Sequence, residues 1–276
     1  MLTMIEVLKA ILFGVVEGIT EWLPISSTGH MILLDEFVKL NVSKEFLDLF
    51  LVVIQLGAIL AVVVIYWNKL IPLSTKHGLH ISRRKCKMWV KIIVASIPAG
   101  VVGILWDDVF TKYFYNYQTV AIMLILVGVV FIIIERSNKN KIAKIDSIDD
   151  ISYGQAFLIG VFQMIAAIFP GTSRSGSTIV GSLMLGISRT AAAEFTFFLA
   201  VPAMFGGSAI KILKYSGGFN SAEVVLLAIG MIVAFVLSII AIKFLMSYIK
   251  KHDFKVFGWY RIILGIAVIG YFLATR

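Results

Sequence analysis

Between residues 15 and 34 the chain reads VVEGITEWLPISSTGHMILL. Glu17 and Glu21 stand four apart, which on a helix puts them on one face about one turn apart. Two carboxylates that close repel unless a cation or a proton intervenes. Hard divalent cations such as Mg²⁺ or Ca²⁺ take carboxylate oxygens, so a metal role for Glu17 and Glu21 is expected. A proton relay is the competing use. Pro24 stops the incoming helix, because it lacks the N–H that the ladder needs. Ser26, Ser27 and Thr28 can cap the next helix, and its first N–H groups and dipole favour an anion. Capping alone is the plainer role for these hydroxyls. His30, three residues past Ser27, shares its face, and a serine near a histidine base is the usual way to activate a weak hydroxyl.

A second stretch, IFPGTSRSGSTIV at 168–180, is polar in equally apolar surroundings. Pro170 and Gly171 make a turn. Ser173, Ser175, Ser177 and Thr178 offer hydroxyls, and Gly176 lets backbone approach closely. Arg174 reads as the one guanidinium at membrane depth, and its planar fork suits phosphate oxygens. A salt bridge to Glu17 or Glu21 is its alternative use. Brought together, the two stretches would make a phosphoryl-transfer site, where positioning and electrostatics do most of the catalysis. Acids with a metal neutralise phosphate charge. Arg174 and the N–H groups hold oxygens, and Ser27 or a water attacks. A site open to bilayer and water suits a phosphorylated lipid.

The rest of the chain must place these stretches in a membrane. It has 276 residues, 59% hydrophobic and 15% charged, with a mean hydropathy of +0.95. Soluble domains are nearer 45–50% apolar and about 25% charged. A polytopic helical membrane protein is expected, and a β-barrel, with its alternating segments, is not. The N-terminus does not read as a cleavable signal. The net charge of +9 implies no nucleic-acid partner here, since loop lysines and arginines set membrane orientation. Cys86 is the single cysteine, which excludes an internal disulfide.

Six segments read as full spans: 46–67, 89–106, 118–135, 190–213, 222–246 and 258–274. Regions 4–34 and 154–187 instead hold paired shorter apolar runs, which read as re-entrant helical hairpins. An offset of 146 aligns Gly14 with Gly160, Glu17 with Gln163, Pro24 with Pro170 and Ser27 with Ser173. An offset of 149 aligns Glu45 with Glu194, Gly57 with Gly206 and Tyr66 with Tyr215. The predicted architecture is a single membrane domain with a first repeat over 1–135, a linker over 136–153 and a second repeat over 154–276. Each repeat is one hairpin plus three spans. The odd span count inverts the second copy, an arrangement whose sites lie near the midplane at broken helices.

If the loop at 67–91 is cytoplasmic, so are 135–153, Arg189 and 243–261. That side then holds 17 of the 25 basic residues, Lys76 and Arg261 among them. The other side holds 7, Arg276 included. The positive-inside rule puts both termini and the opening of the site on the outer side. His77, His80 and His252 fall in basic loops and read as solvated.

EGITEWLPISSTGH together with PGTSRSGSTI resembles the undecaprenyl-diphosphate phosphatase family of bacteria, the bacitracin-resistance type. ASIPAGVVG, SRTAAAEFTFFLAVP and FGWYRIILG fit as well, so the resemblance covers nearly the whole chain. It implies a bacterial plasma-membrane enzyme that removes the terminal phosphate of undecaprenyl diphosphate and needs a divalent cation. That reaction regenerates the lipid carrier for peptidoglycan synthesis. The resemblance implicates Glu17 and Glu21 in metal binding, and Glu21, Ser27, His30 and Arg174 in catalysis. Ser26, Thr28, Ser173, Arg174, Ser175, Gly176 and Thr178 would bind the diphosphate. Thr196 stands where the family is expected to carry serine. Another lipid phosphatase class uses an SR-x5-H stretch, but here the residue six past Arg174 is Val180. The alternative function is a flippase of polyprenyl phosphate, and a homodimer is one open assembly.

Overall fold

The structure, a computed structural model, describes residues 3–74 and 80–275. Lys76, His77 and Arg276 lie outside the described residues. Helices α1 (Met4–Thr20) and α2 (Ser27–Phe37) precede α3 (Lys44–Ile65) and the short α4 (Trp67–Leu70). A two-residue antiparallel ladder, β1 (Leu73–Ser74) with β2 (His80–Ile81), leads to α5 (Arg83–Phe114) and α6 (Tyr117–Ser137). Then come α7 (Tyr153–Ile168), α8 (Arg174–Met184), α9 (Arg189–Lys214), α10 (Ser221–Tyr248) and α11 (Lys255–Thr275).

Six helices, α3, α5, α6, α9, α10 and α11, are long and apolar enough to cross a membrane. They match the six expected spans. Their outward faces are apolar, as at Ile104, Ile133, Ile232 and Ile263. Water-exposed faces would be polar, whereas lipid accepts such side chains without penalty. The chain is an all-α multi-pass membrane protein.

Most helix starts are written locally. Thr3, Ser43, Asn116, Ser152, Ser188 and Asn220 each accept a hydrogen bond from a backbone N–H of the first turn. Ser152 with Gln155, and Asn220 with Glu223, close full capping boxes. Each satisfies a first-turn donor that the helix's own ladder leaves unpaired.

Packing brings the two short pairs into the middle. Helix α1 lies on α10 and α7 lies on α5, while α3 meets α9 and α6 meets α11. Both of the first contacts turn on small residues. A Cβ on Gly14 would stand 2.7 Å from the carbonyl oxygen of Gly230, and one on Gly160 would overlap the carbonyl of Ala95. Close backbone approach of this kind is how membrane helices associate when burial against lipid gives no drive. Helix α8 is enclosed by α6, α7 and α9, and every residue from Ser175 to Leu183 is buried.

The segment after α6, expected to be a simple linker, is tied to the end of α8. Ile145 bridges Ile187 in parallel, with Lys144 N–H donating to the Gly186 carbonyl at 2.9 Å and Ser188 N–H to that of Ile145 at 2.8 Å. Asn138 donates to the Leu183 carbonyl, and Ile148 and Ile151 are buried. Apolar side chains at 145, 148 and 151 explain why a segment rich in lysine packs down at all.

Candidate active site at the two helix bends

Both bends end in a serine with a left-handed backbone. Ser26 has φ 74° and its Oγ accepts from Gly29 N–H; Ser173 has φ 70° and its Oγ accepts from Gly176 N–H at 3.1 Å. Non-glycine residues rarely adopt such a φ, and strain of this sort concentrates at functional sites. The next residues, Ser27 and Arg174, are the first of α2 and α8. The structural correspondence of the caps is therefore Ser26 with Ser173, one step from the sequence pairing of Ser27 with Ser173.

The bends meet. Glu21 accepts from Ser27 Oγ at 2.5 Å through Oε2 and from Arg174 Nη2 at 2.9 Å through Oε1. Arg174 also donates to the Thr196 carbonyl at 3.0 Å, and its guanidinium lies 6.0 Å from the Trp22 ring centroid. Trp22 is fully buried against Phe197. Glu21, Thr196 and Trp22 thus fix Arg174, and the salt bridge considered as its alternative use is present.

Above this chain of contacts lies a cavity of about 180 Å³. Glu21, Ser27, Thr28, Ser173 and Arg174 line it, with Gln55 from α3 and Met204 from α9. Its polar lining comes from both bends and Gln55, and Ala166, Ala203 and Met204 add an apolar side. That mixture suits a charged headgroup carrying a hydrocarbon tail.

His30 departs from expectation. Its Nδ1 faces the Ser26 carbonyl at 2.7 Å, so Nδ1 carries the proton and Nε2 accepts from the Tyr260 hydroxyl at 2.7 Å. Its ring stacks on that of Tyr260, 5.7 Å between centroids. Both nitrogens are engaged away from Ser27, whose hydroxyl goes to Glu21 on the other arm of the bend. The residue placed to take a proton from Ser27 is Glu21. The serine–histidine pairing read from spacing fails because a side chain at a helix start can reach backwards across the bend.

Several hydroxyls expected at the diphosphate are spent on structure. Thr178 is fully buried, bonded to Thr196 Oγ1 and to the carbonyls of Arg174 and Ser175. Ser175 Oγ donates to the Glu21 carbonyl at 3.2 Å, tying one bend to the other, and shares a hydrogen bond with Ser173 Oγ. Ser177 donates to the Phe162 carbonyl. Short hydroxyls on a helix bond nearby carbonyls in just this way. Ser26 and Gly176 form the cap contacts described above and do not line the cavity.

Sequence reasoning missed Arg261. Counted as a cytoplasmic loop residue, it is fully buried in α11, so Arg174 is not the one guanidinium at depth. Its position, in the apolar frame of α11, was the available signal. Tyr260, Gln55 and Trp22 were missed as well.

For a divalent cation the donors fit in part of their shell. Glu17 is 1% exposed and its Oε1 has no hydrogen-bond partner. It lies one turn before Glu21, which lines the cavity. Among the described residues no three His, Cys, Asp or Glu side chains converge as in a closed metal cage. An orphaned carboxylate oxygen beside a second carboxylate fits an ion that draws its remaining oxygens from phosphate and water, the usual habit of Mg²⁺. Gln163, aligned with Glu17, carries a second orphaned buried oxygen.

Comparison with known proteins assigns the chain to a family. The family described as Bacitracin resistance protein BacA matches residues 10–267. An undecaprenyl-diphosphatase of Desulfitobacterium hafniense is 63% identical over 99% of this chain and 98% of its own. Undecaprenyl-diphosphatase 1 of Clostridium acetobutylicum is 62% identical over 98% of each chain. An undecaprenyl-diphosphatase of Enterococcus faecalis is 58% identical over 97% of this chain and 98% of its own.

Proposed function

The chain belongs to the bacitracin resistance protein family, and on that premise we propose that it hydrolyses undecaprenyl diphosphate to undecaprenyl phosphate and inorganic phosphate. The observation that carries this reading is the line of contacts from Ser27 through Glu21 to Arg174, at 2.5 and 2.9 Å, on the wall of a small polar cavity.

Ser27 Oγ attacks the terminal phosphorus while its proton passes to Glu21 Oε2. The bond from that phosphorus to the bridging oxygen breaks, and undecaprenyl phosphate leaves with the electron pair. The departing undecaprenyl phosphate takes the proton from Glu21; water then attacks the phosphoserine, its proton passing through Glu21 to Ser27 Oγ as the phosphorus–Oγ bond breaks, and phosphate departs. As Glu21 is protonated its hold on Arg174 weakens, which frees the guanidinium fork for phosphate oxygens when charge builds there. Thr28 and Ser173 line the same space, and the uncapped first N–H groups of α2 and α8 would complete the oxyanion contacts. Glu17 and Glu21 would hold the divalent cation, which supplies charge neutralisation on the diphosphate.

The proposed setting is the bacterial plasma membrane, with both termini and the mouth of the cavity outside. With Arg261 removed from the count, 16 basic residues still lie on the inner side against 7 outside. The halves are read as inverted copies. The support is that α1 on α10 mirrors α7 on α5, with Gly14 and Gly160 at the two crossings. Against a strict copy, Gly57 abuts Met231 whereas Gly206 has open space. Among the described residues no contact favours the flippase alternative.

The test is phosphate release from purified protein given undecaprenyl diphosphate. Glu21→Ala and Arg174→Ala should abolish it in protein that remains folded. Full activity in both variants would sink the proposal.

A further inference from the structure

Arg261 is among the largest fully buried side chains in the molecule, and its contacts are unusual for a buried cation. Nη2 donates to the carbonyls of Gly171 at 2.8 Å, Thr172 at 2.9 Å and Met123 at 3.3 Å. Nη1 donates to Pro24 at 3.2 Å and Nε to Leu124 at 3.4 Å. Among the described residues no carboxylate pairs with it. One side chain of α11 therefore holds the first bend, the second bend and α6 together, using only main-chain oxygens.

The places it holds are specific. Pro24 is three residues before Ser27, and Gly171 is three residues before Arg174. The distance between the hydroxyl and the guanidinium is thus set by where Arg261 holds the two bends. The surroundings fit it closely. Gly171 has φ 90°, and a Cβ there would stand 2.5 Å from the Val120 carbonyl of α6. A Cβ on Gly176 would stand 3.3 Å from Arg261 Nη1. Tyr260, its chain neighbour, hydrogen-bonds His30 of α2. Burying a guanidinium without an anion is costly, and only the five carbonyl dipoles offset it within the protein.

We propose that Arg261 is the positioning residue of this site, stapling the two bends so that Ser27 and Arg174 face one phosphate. Its action depends on the guanidinium fork, since a lysine ammonium has three donors on one point and cannot span three segments. This rests on the phosphatase reading. A displacement near 1 Å of reacting groups can lower turnover about a hundredfold.

The experiment compares wild type with Arg261→Lys and Arg261→Met, on the folded fraction after gel filtration. Phosphate release and affinity for a non-hydrolysable farnesyl methylenediphosphonate are both measured. Both variants should lose about a hundredfold in kcat, with KM rising about tenfold at most, because misplaced bends cost the transition state more than the ground state. Analogue affinity should fall about tenfold in Arg261→Met and less in Arg261→Lys, which keeps the charge. Wild-type kcat in folded Arg261→Lys overturns the proposal, as does a lowered melting temperature with kcat unchanged in both variants. If wild type binds the analogue and releases no phosphate, the phosphatase reading fails. The staple is then judged on binding, where affinities equal to wild type in both variants overturn it. Should the Arg261 variants not fold, Gly176→Ala presses on Ser173 Cβ and Arg261 Nη1 together and should lower kcat about tenfold; unchanged kcat there also overturns it.

Discussion

Replacing Glu21 by glutamine keeps its shape and removes its charge, which isolates its role as a base. Glu21 Oε2 holds Ser27 Oγ at 2.5 Å, and its side chain is 9% exposed beside an Arg174 side chain at 16%. A glutamine can still accept one hydrogen bond but cannot take the serine proton. Loss of a positioned general base typically lowers turnover by 10²–10⁴, or about 3–5 kcal/mol of barrier. The expectation for Glu21→Gln is a fall in kcat of that size, read by continuous phosphate release in detergent. Arg174 keeps the Thr196 carbonyl and the Trp22 ring, so the protein should remain folded. The informative comparison is His30→Gln. Both imidazole nitrogens point away from Ser27, so its kcat should stay within about tenfold of wild type, an indirect loss well short of a missing base. If folded His30→Gln is as slow as Glu21→Gln, the assignment of Glu21 as base is wrong and the serine–histidine arrangement returns.

Rapid quench with labelled substrate should trap phosphate on Ser27, and its consistent absence, with activity intact, would assign attack to water. A chelator should stop turnover and Mg²⁺ or Ca²⁺ should restore it. Glu17→Gln should raise the metal concentration needed about tenfold, the scale on which lost metal contacts act, without lowering the melting temperature, because Oε1 has no partner to lose. Arg189→Met should destabilise the protein by about 3 kcal/mol, since it strands a buried charge. Glu135 is 1% exposed and takes Arg189 Nη2 at 2.5 Å. Detergent melting checks this, with kcat of the folded fraction expected to hold.

The spans were legible because hydrocarbon demands long apolar helices, and hydropathy registers this directly. The bends were legible through Pro24, Pro170 and the serines that come after them. Partner choice was not. Whether Ser27 turns to His30 or back to Glu21 depends on the path of residues 21–26, which spacing along one helix does not encode. Thr178 and Ser175 looked like ligands because hydroxyls read alike whether they face a cavity or a carbonyl. Arg261 was hidden by a counting rule, since an arginine near a helix start resembles a loop residue until the fold closes around it. The docking of 138–151 was masked by its lysines, although Ile145, Ile148 and Ile151 were there to be read.

The two left-handed serines bear on how this protein should be engineered. A glycine would accept φ near 70° without steric penalty and would give up only a few tenths of a kcal/mol as a cap. Relief of the strain, about 1–3 kcal/mol at each position, outweighs that loss. Selection for thermal robustness alone should therefore keep returning Ser26→Gly and Ser173→Gly. Both would loosen the stretch that aims the first residue of each short helix. A hardier protein obtained by that route is the one to distrust as a catalyst, and screens for crystallisation or inhibitor work should retain serine at both positions.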